Sequence, residues 1–113
     1  MKITKTQVRS WIKDAKNSGF NPNILIIPEK INEKIEICGI KYYSSLPSIF
    51  CNNPIYIGSF GEIGIFISNT CPKNRAYLTD KRGFYLLSKD KTDLEIDLIK
   101  ELENHNPQSK DRS

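Results

Sequence analysis

Hydrophobic residues near the start of the chain recur every three or four positions, as they do on one face of an α-helix. The residues in this pattern are Val8, Trp11, Ile12 and Ala15. Thr4 and Gln7 have the spacing of a capping box, and Gly19 suits the left-handed position that follows many helices. The pattern predicts an N-terminal helix over residues 4–18.

From residue 24 onward the apolar positions form continuous or alternating short runs, which is typical of β-strands. Ile24–Ile27 is a continuous run between two prolines and predicts a strand buried on both faces. The other predicted strands are 35–37, 40–42, 55–57, 63–67, 76–78 and 84–87. Gly39 favours a reversal or bulge, residues 80–83 favour a hairpin connection, and 29–33 fits one helical turn. We expect residues 54–67 to form the centre of the sheet.

A second helix is predicted at about residues 92–104. Its apolar positions are Leu94, Leu98, Ile99 and Leu102. Thr92 and Glu95 fit a second capping box, and the polar residues 108–113 are expected to be a disordered tail. The order of elements predicts a single α+β domain over residues 1–107. Its mixed, mostly antiparallel sheet has about five to six strands and is flanked by an N-terminal and a C-terminal helix.

Composition limits the class of protein. A chain of 113 residues with 38% apolar content supports one modest core. No apolar run approaches the roughly 20 residues of a membrane helix, and no signal peptide is visible, so we expect a cytoplasmic protein without a membrane partner. The three cysteines lack the spacing of a disulfide framework and are expected to be reduced, buried thiols.

The net charge of +4 is unevenly distributed. Residues 1–20 carry five basic and one acidic side chain, and residues 71–91 carry six and two. Residues 92–113 carry three basic and six acidic side chains. Such segregation says nothing about fold, but it points to anionic partners for the two basic segments.

Candidate chemistry is sparse. The metal-ligating or nucleophilic candidates are Cys38, Cys51, Cys71 and His105. Their spacing does not resemble a zinc site, and the single histidine precedes a polar tail, a poor place for a general base. Glu62 stands alone, and Gly58–Gly61 lacks the phosphate-binding glycine motifs. The sequence therefore favours a protein that is not an enzyme, with no catalytic residue, metal or cofactor.

Two basic groups are candidates for contact with nucleic acid or another anionic partner. They are Lys5, Arg9, Lys13 and Lys16 on the first helix, and Lys73, Arg75, Lys81 and Arg82 farther along. Four tyrosines could stack on bases if they are exposed: Tyr42, Tyr43, Tyr77 and Tyr85. The alternative is that the lysines are an ordinary solvated face and the tyrosines belong to the core or sheet.

Four successive segments also resemble a known pattern. They are Ser-Gly-Phe-Asn-Pro-Asn (18–23), Ile-Leu-Ile-Ile-Pro-Glu (24–29), Gly-Ile-Lys-Tyr-Tyr-Ser-Ser-Leu-Pro (39–47) and Pro-Ile-Tyr-Ile-Gly-Ser-Phe (54–60). Residues 5–67 resemble the axial-domain segment of tailed-phage-type major capsid proteins and encapsulins, where such segments share one sheet. The family's usual Gly-Asp-Phe is Gly-Ser-Phe at 58–60. Because 113 residues leave no room for the other shell-forming parts, the resemblance implies a lone axial-like domain.

These observations leave two functional hypotheses. The first is a non-enzymatic protein-interaction or assembly domain of phage or mobile-element origin, with another protein or a second copy as partner. The alternative is a small basic nucleic-acid-binding or regulatory protein that uses the cationic stripe of the first helix. An exposed apolar edge would favour the first and a contiguous basic face the second. An enzyme would need a deep polar pocket assembled from scattered residues.

Overall fold

The computed structural model describes residues 1–43, 54–80 and 94–104, which form eight strands and two helices. In chain order these are β1 (Lys2–Ile3), α1 (Lys5–Asn17), β2 (Ile24–Pro28), β3 (Lys34–Ile37), β4 (Ile40–Tyr43), β5 (Ile55–Phe60), β6 (Ile63–Ser68), β7 (Arg75–Thr79), β8 (Leu94–Asp97) and α2 (Leu98–Asn104).

The strands are divided between two sheets, one of order β1-β3-β4 and one of order β5-β6-β2-β7-β8. The pairs β1–β3 and β2–β6 are parallel, whereas the pairs β2–β7, β3–β4, β5–β6 and β7–β8 are antiparallel. The predicted fold class, α+β with mixed, mostly antiparallel strand pairing and a helix near each end, is confirmed. The structure has two sheets, of three and five strands, where the sequence predicted one sheet of about five to six strands.

Strand β2 is the centre of the larger sheet. It pairs in parallel with β6, from Ile24 opposite Gly64 onward, and antiparallel with β7, with Leu25 opposite Leu78. All five of its residues are buried, as expected for a continuous apolar run covered on both faces. The expectation that residues 54–67 form the centre is therefore wrong, because β5 lies at the edge of the sheet and β6 second.

One hydrophobic core joins both sheets to α1. Alternation along β2 sends Leu25 and Ile27 into this core together with Val8 and Trp11 of α1 and Ile37 of β3. A smaller cluster lies on the opposite face of the larger sheet. It consists of Ile24, Ile26, Cys71 and Tyr77, with Phe66 packed against it.

Helix α1 forms where the local signals predict it. Its N-cap Thr4 and Gln7 make a complete capping box, in which each side chain bonds the backbone of the other residue. Gly19 has φ +99, the left-handed conformation that ends helices.

The hairpin between β3 and β4 turns at Cys38 and Gly39. Both residues have positive φ, 53 and 85, as a two-residue type I′ turn requires. The reversal predicted at Gly39 is thus present, and it places the cysteine at the end of the hairpin.

Two predictions made from local pattern are wrong. Residues 94–97 form strand β8 and not the first turn of a helix, so the capping box proposed for Thr92 and Glu95 does not start one. Helix α2 begins at Leu98, after Asp97, whose carboxylate accepts a hydrogen bond from the backbone N–H of Lys100 at 3.2 Å.

Residues 29–33 form no helical turn. The backbone N–H of Glu29 instead donates to the carbonyl of Ser68, at 3.1 Å, and extends the β2–β6 contact. Asn32 has φ 59, a left-handed conformation that a right-handed helix does not contain.

Several predictions lie outside the described residues: the strand at 84–87, the tip of the hairpin at 80–83, Cys51, His105 and the tail at 108–113. Among the described residues, neither helix has the length and apolar character needed to cross a membrane.

Candidate nucleic-acid interface

The four cations predicted on α1 lie on one exposed stripe. Lys5, Arg9, Lys13 and Lys16 are all exposed. At 3.6 residues per turn they fall within about 80° of one another, and the stripe is about 16 Å long. In residues 1–43, 54–80 and 94–104, no ion pair involves any of the four. We refer to these residues as the α1 stripe.

The stripe carries a local electrostatic cost. Lys5 and Arg9, and Arg9 and Lys13, are like charges four residues apart, a spacing that destabilises a helix by roughly 0.2–0.5 kcal/mol per pair. Lys5 also lies at the positive end of the helix dipole, and the first turn contains no acidic residue. Only Lys16, in the last turn, has the sign that the dipole favours. An anion bound along the stripe would relieve this repulsion.

Arg9 is positioned by the larger sheet. Its guanidinium carbon lies 5.3 Å from the centre of the Phe60 ring, within the range of a cation–π contact. Phe60 is half-buried at the end of β5. The contact holds the guanidinium beside the edge strand while leaving its donor groups available to a ligand.

The β3–β4 hairpin reaches the same region. Burial raises the pKa of the Cys38 thiol, and the positive charges of Lys5 and Arg9 partly oppose that rise. The backbone N–H of Cys38 donates to the carbonyl of Ile3 at 2.9 Å, so the turn of the smaller sheet lies beside the chain that leads into Lys5, the first residue of the α1 stripe.

The second predicted basic group, unlike the α1 stripe, does not form one exposed set of unpaired cations among the described residues. Lys73 is exposed in the loop before β7. Arg75 is already paired, with its Nε 3.3 Å from Glu95 and its Nη1 3.3 Å from Asp97. Its charge is therefore offset by two carboxylates of β8. Lys81 and Arg82 lie outside the described residues.

The tyrosines separate into buried and exposed groups. Tyr77 is 2% exposed, and its hydroxyl donates to the Glu95 carboxylate at 3.0 Å, so it belongs to the interior. Tyr42 is half-buried. Tyr43, at 54% exposed, presents much of its ring to solvent. Tyr85 lies outside the described part of the chain.

A basic face on the smaller sheet was not anticipated from sequence. The strand register places Lys2 opposite Glu36, Glu36 opposite Lys41, and Lys34 opposite Tyr43, and all of them point to the same side. The alternation of charged with apolar residues in β3 and β4 was visible in the sequence. That β1 would add Lys2 to this face was not, because the pairing joins residues 34 positions apart.

The described residues do not assemble an obvious catalytic centre. Within them, no three His, Cys, Asp or Glu side chains gather as a metal site requires. Burial raises the pKa of the Cys71 thiol to about 12, and its sulfur donates to the carbonyl of Arg75 at 3.4 Å. A buried thiol that stays protonated at neutral pH is a poor nucleophile.

Comparison with known proteins supplies no precedent for this surface. No protein family matches the chain, and no curated protein or solved structure is significantly similar to it. Its function is therefore inferred from its own residues and their geometry.

Proposed function

We propose that this protein is a non-enzymatic domain that binds nucleic acid by placing the α1 stripe against a phosphate backbone. The observation that carries the proposal is the stripe itself: four exposed cations, none in an ion pair within the described residues, on one side of a helix that otherwise packs into the core. Local repulsion among them is a cost that a polyanion removes.

The dimensions of the stripe suit this partner. It is about 16 Å long, and nucleic-acid strands rise by about 3.4 Å per nucleotide, so the stripe spans roughly five nucleotides of one strand. Three or four phosphates can then be contacted. Each neutralised phosphate contributes about −0.9 to the slope of log affinity against log salt for duplex, or about −0.7 for single strands.

The test is fluorescence anisotropy with a labelled 20-nucleotide strand and a 20-base-pair duplex over a range of NaCl concentrations. Lys13→Gln/Lys16→Gln removes two stripe charges and should reduce the magnitude of the salt slope by roughly 1.4–1.8. Lys30→Gln/Lys100→Gln is the matched control, since it changes the net charge equally but lies outside the stripe.

Equal loss of affinity in the two double variants would mean that net charge alone matters, and the proposed interface would be wrong. Absence of binding by the unaltered protein to either nucleic acid at about 50 mM salt, where phosphate contacts are strong, would remove the proposed function altogether.

Assembly with another protein is the second candidate, and the edge of the larger sheet favours it. Strand β5 pairs only with β6 among the described strands, and Tyr56 on it is 59% exposed. The capsid-like pattern of residues 5–67 supports the same candidate. A register shift between Tyr56 and Gly58 argues the other way, because bulges commonly protect sheet edges from pairing.

Light scattering during size exclusion over a hundredfold range of concentration tests self-assembly. An assembly built on β5 should lose mass when Tyr56→Lys places a charge on the edge, while Tyr43→Lys, on the other sheet, leaves the mass unchanged. A monomeric mass at every concentration removes self-association through this edge.

A further inference from the structure

Resting on the proposed function, we infer that the outward face of the three-stranded sheet is a second contact for the same ligand, and that Tyr43 stacks on an unpaired base there. The protein then prefers single-stranded nucleic acid to duplex. We call this surface, formed by Lys2, Lys34, Glu36, Lys41 and Tyr43, the sheet platform.

The strand register builds the platform. Lys2, Glu36 and Lys41 form one row across β1, β3 and β4, and Lys34 and Tyr43 form the next row. Directly paired residues on one face of a sheet have Cβ atoms about 4.5–5.5 Å apart, so the five side chains occupy one small area. The opposite face of the same strands carries Ile3, Ile35 and Ile37, which are buried in the core.

The platform is positively charged. Three lysines surround one carboxylate, that of Glu36, and leave an excess of two positive charges. In the described part of the chain, no ion pair involves Lys2, Lys34 or Lys41. These ammonium groups are available to phosphate oxygens.

The positively charged platform also borders a cavity. An open cavity of about 450 Å³ is lined by residues of all three strands, including Lys2, Lys34, Lys41 and Tyr43. Its volume is in the range of pockets that hold small ligands, and it is large enough to receive a nucleotide.

Tyr43 is placed to stack. Its hydroxyl donates to the Asn32 side-chain oxygen at 3.4 Å, a long hydrogen bond that restrains the end of the ring, and the residue is 54% exposed. Every base has a π-face, so a restrained, exposed ring beside cations binds strands with little sequence preference. In a duplex those faces are covered by neighbouring bases, and the ring has nothing to stack on.

The platform and the α1 stripe adjoin one another. Lys2 precedes Lys5 by three residues, a separation that even extended chain spans in at most about 11 Å. The hairpin turn is also tied to this segment, because the backbone N–H of Cys38 donates to the carbonyl of Ile3 at 2.9 Å, two residues before Lys5. One strand of nucleic acid can therefore pass from the stripe to the platform.

The test compares a labelled 20-nucleotide thymidine strand with a 20-base-pair duplex at about 100 mM salt, by anisotropy. Tyr43→Ala should weaken single-strand binding about tenfold and change duplex binding less than about twofold. Tyr43→Phe keeps the ring but loses the long hydrogen bond to Asn32, so it should weaken single-strand binding by less than about twofold. Tyr56→Ala, which removes another exposed tyrosine, is the matched control and should change neither affinity.

Cross-linking provides a measurement that does not depend on a variant folding. A strand containing 5-bromodeoxyuridine, irradiated with the unaltered protein, should yield an adduct that peptide mapping assigns to Tyr43. An adduct elsewhere, or a Tyr43→Ala variant that binds single strands within twofold of the unaltered protein, overturns the inference.

The two proposals fail in different ways. If both nucleic acids bind, and Lys13→Gln/Lys16→Gln weakens both while Tyr43→Ala changes neither, the stripe is correct and the platform is wrong. If neither nucleic acid binds, both are wrong. An acidic peptide provides a third comparison. If it competes fully with the single strand, and Tyr43→Ala leaves that competition unchanged, the platform binds anions by charge alone and Tyr43 does not stack on a base.

Discussion

Gly58 is the residue at which the conformation of edge strand β5 is most constrained. It follows the register shift after Tyr56 and has φ +152, which residues with a side chain rarely adopt. A Cβ at this position would lie 2.6 Å from Cδ1 of Ile40 in strand β4, so both backbone and space favour glycine.

Gly58→Ala should therefore destabilise the fold by about 1–3 kcal/mol, because strained φ and overpacking each cost energy of this order. Urea unfolding measures the change. Adding Ile40→Val shortens the side chain that the new methyl group meets, so the two effects should be less than additive if the clash dominates. Gly61→Asn is the control, since φ +62 with open space around it suits asparagine. A Gly58→Ala protein as stable as the parent would contradict the described geometry.

Tyr77 should make stability fall at alkaline pH. Burial, then its hydrogen bond to Glu95, raises the pKa of the phenol to about 12, above the roughly 10 of an unfolded chain. Because the folded state favours the neutral phenol, this contribution is complete below pH ~10 and is lost as pH rises toward 12. Exposed Glu95 is screened by solvent, so we expect about 1–2 kcal/mol and not the full value of a two-unit shift.

The measurement is the difference in unfolding free energy between the unaltered protein and Tyr77→Phe at several pH values from 9 to 11.5. That difference should shrink as pH rises, whereas the difference for Ile27→Val, which changes no ionisable group, should stay flat. A constant difference for Tyr77→Phe would show that the hydroxyl ionises as it does in the unfolded chain.

At the scale of elements, local signals predict what neighbouring residues alone decide. The period of α1, its capping box and the glycine after it lie within 16 residues, and they locate both the helix and the cationic stripe. Segment 94–104 shows the limit of such signals. Leu94 with Leu98 fits a helical period, and Leu94 with Ile96 fits a strand equally well. Pairing with β7, Leu78 opposite Leu94, selects the strand, and no local rule contains that information.

The same reason explains the part of the candidate site that sequence reasoning missed. The sheet platform depends on β1 joining β3, and the neutralisation of Arg75 depends on β8 joining β7. Both are pairings between distant segments. Tyr77 was a candidate for stacking on bases, but it lies on an inner strand of the larger sheet and is buried there. Its burial also depends on strand pairings that the local sequence does not reveal.

Asp97 joins strand β8 to helix α2, and its charge should matter to stability at acid pH. The hydrogen bond from the Lys100 backbone, together with the positive charge of Arg75, holds the pKa of the Asp97 carboxyl below its usual value. A lowered folded-state pKa means that the contribution is present above pH ~4 and is lost as pH falls further. Asp97→Asn keeps an oxygen for the cap but removes the charge.

Thermal unfolding between pH 7 and 2.5 should show Asp97→Asn melting below the unaltered protein at pH 7 and approaching it below pH ~4. Asp97→Ala, which also loses the capping oxygen, should melt lower than Asp97→Asn at pH 7. Glu62→Gln, an exposed carboxylate in the β5–β6 turn, is the control. A gap between Asp97→Asn and the unaltered protein that is independent of pH would contradict this role.

For the whole molecule, the shared core predicts one cooperative unfolding transition. Leu25 in the larger sheet and Ile37 in the smaller sheet are both 0% exposed and belong to the same cluster as Trp11. Leu25→Ala and Ile37→Ala should each cost about 2–5 kcal/mol.

Fluorescence of Trp11, the single tryptophan, and far-ultraviolet circular dichroism should give coincident transitions in both variants. A substitution at an exposed position, such as Lys73→Gln, should leave both transitions in place. If fluorescence and circular dichroism gave different transition midpoints for Ile37→Ala, the three-stranded sheet would unfold independently of the rest.

The position of β2 in the chain has a consequence for synthesis of the protein. Ile24 pairs with Gly64 of β6, 40 residues later, and Leu25 meets Leu78 of β7 only after a further stretch of chain. On a ribosome adding about 5–20 residues per second, the four apolar residues at 24–27 wait roughly 3–10 s for both neighbours. During that interval they form an exposed apolar segment of the nascent chain that is prone to aggregation. A chaperone that binds such segments should therefore raise the yield of native protein.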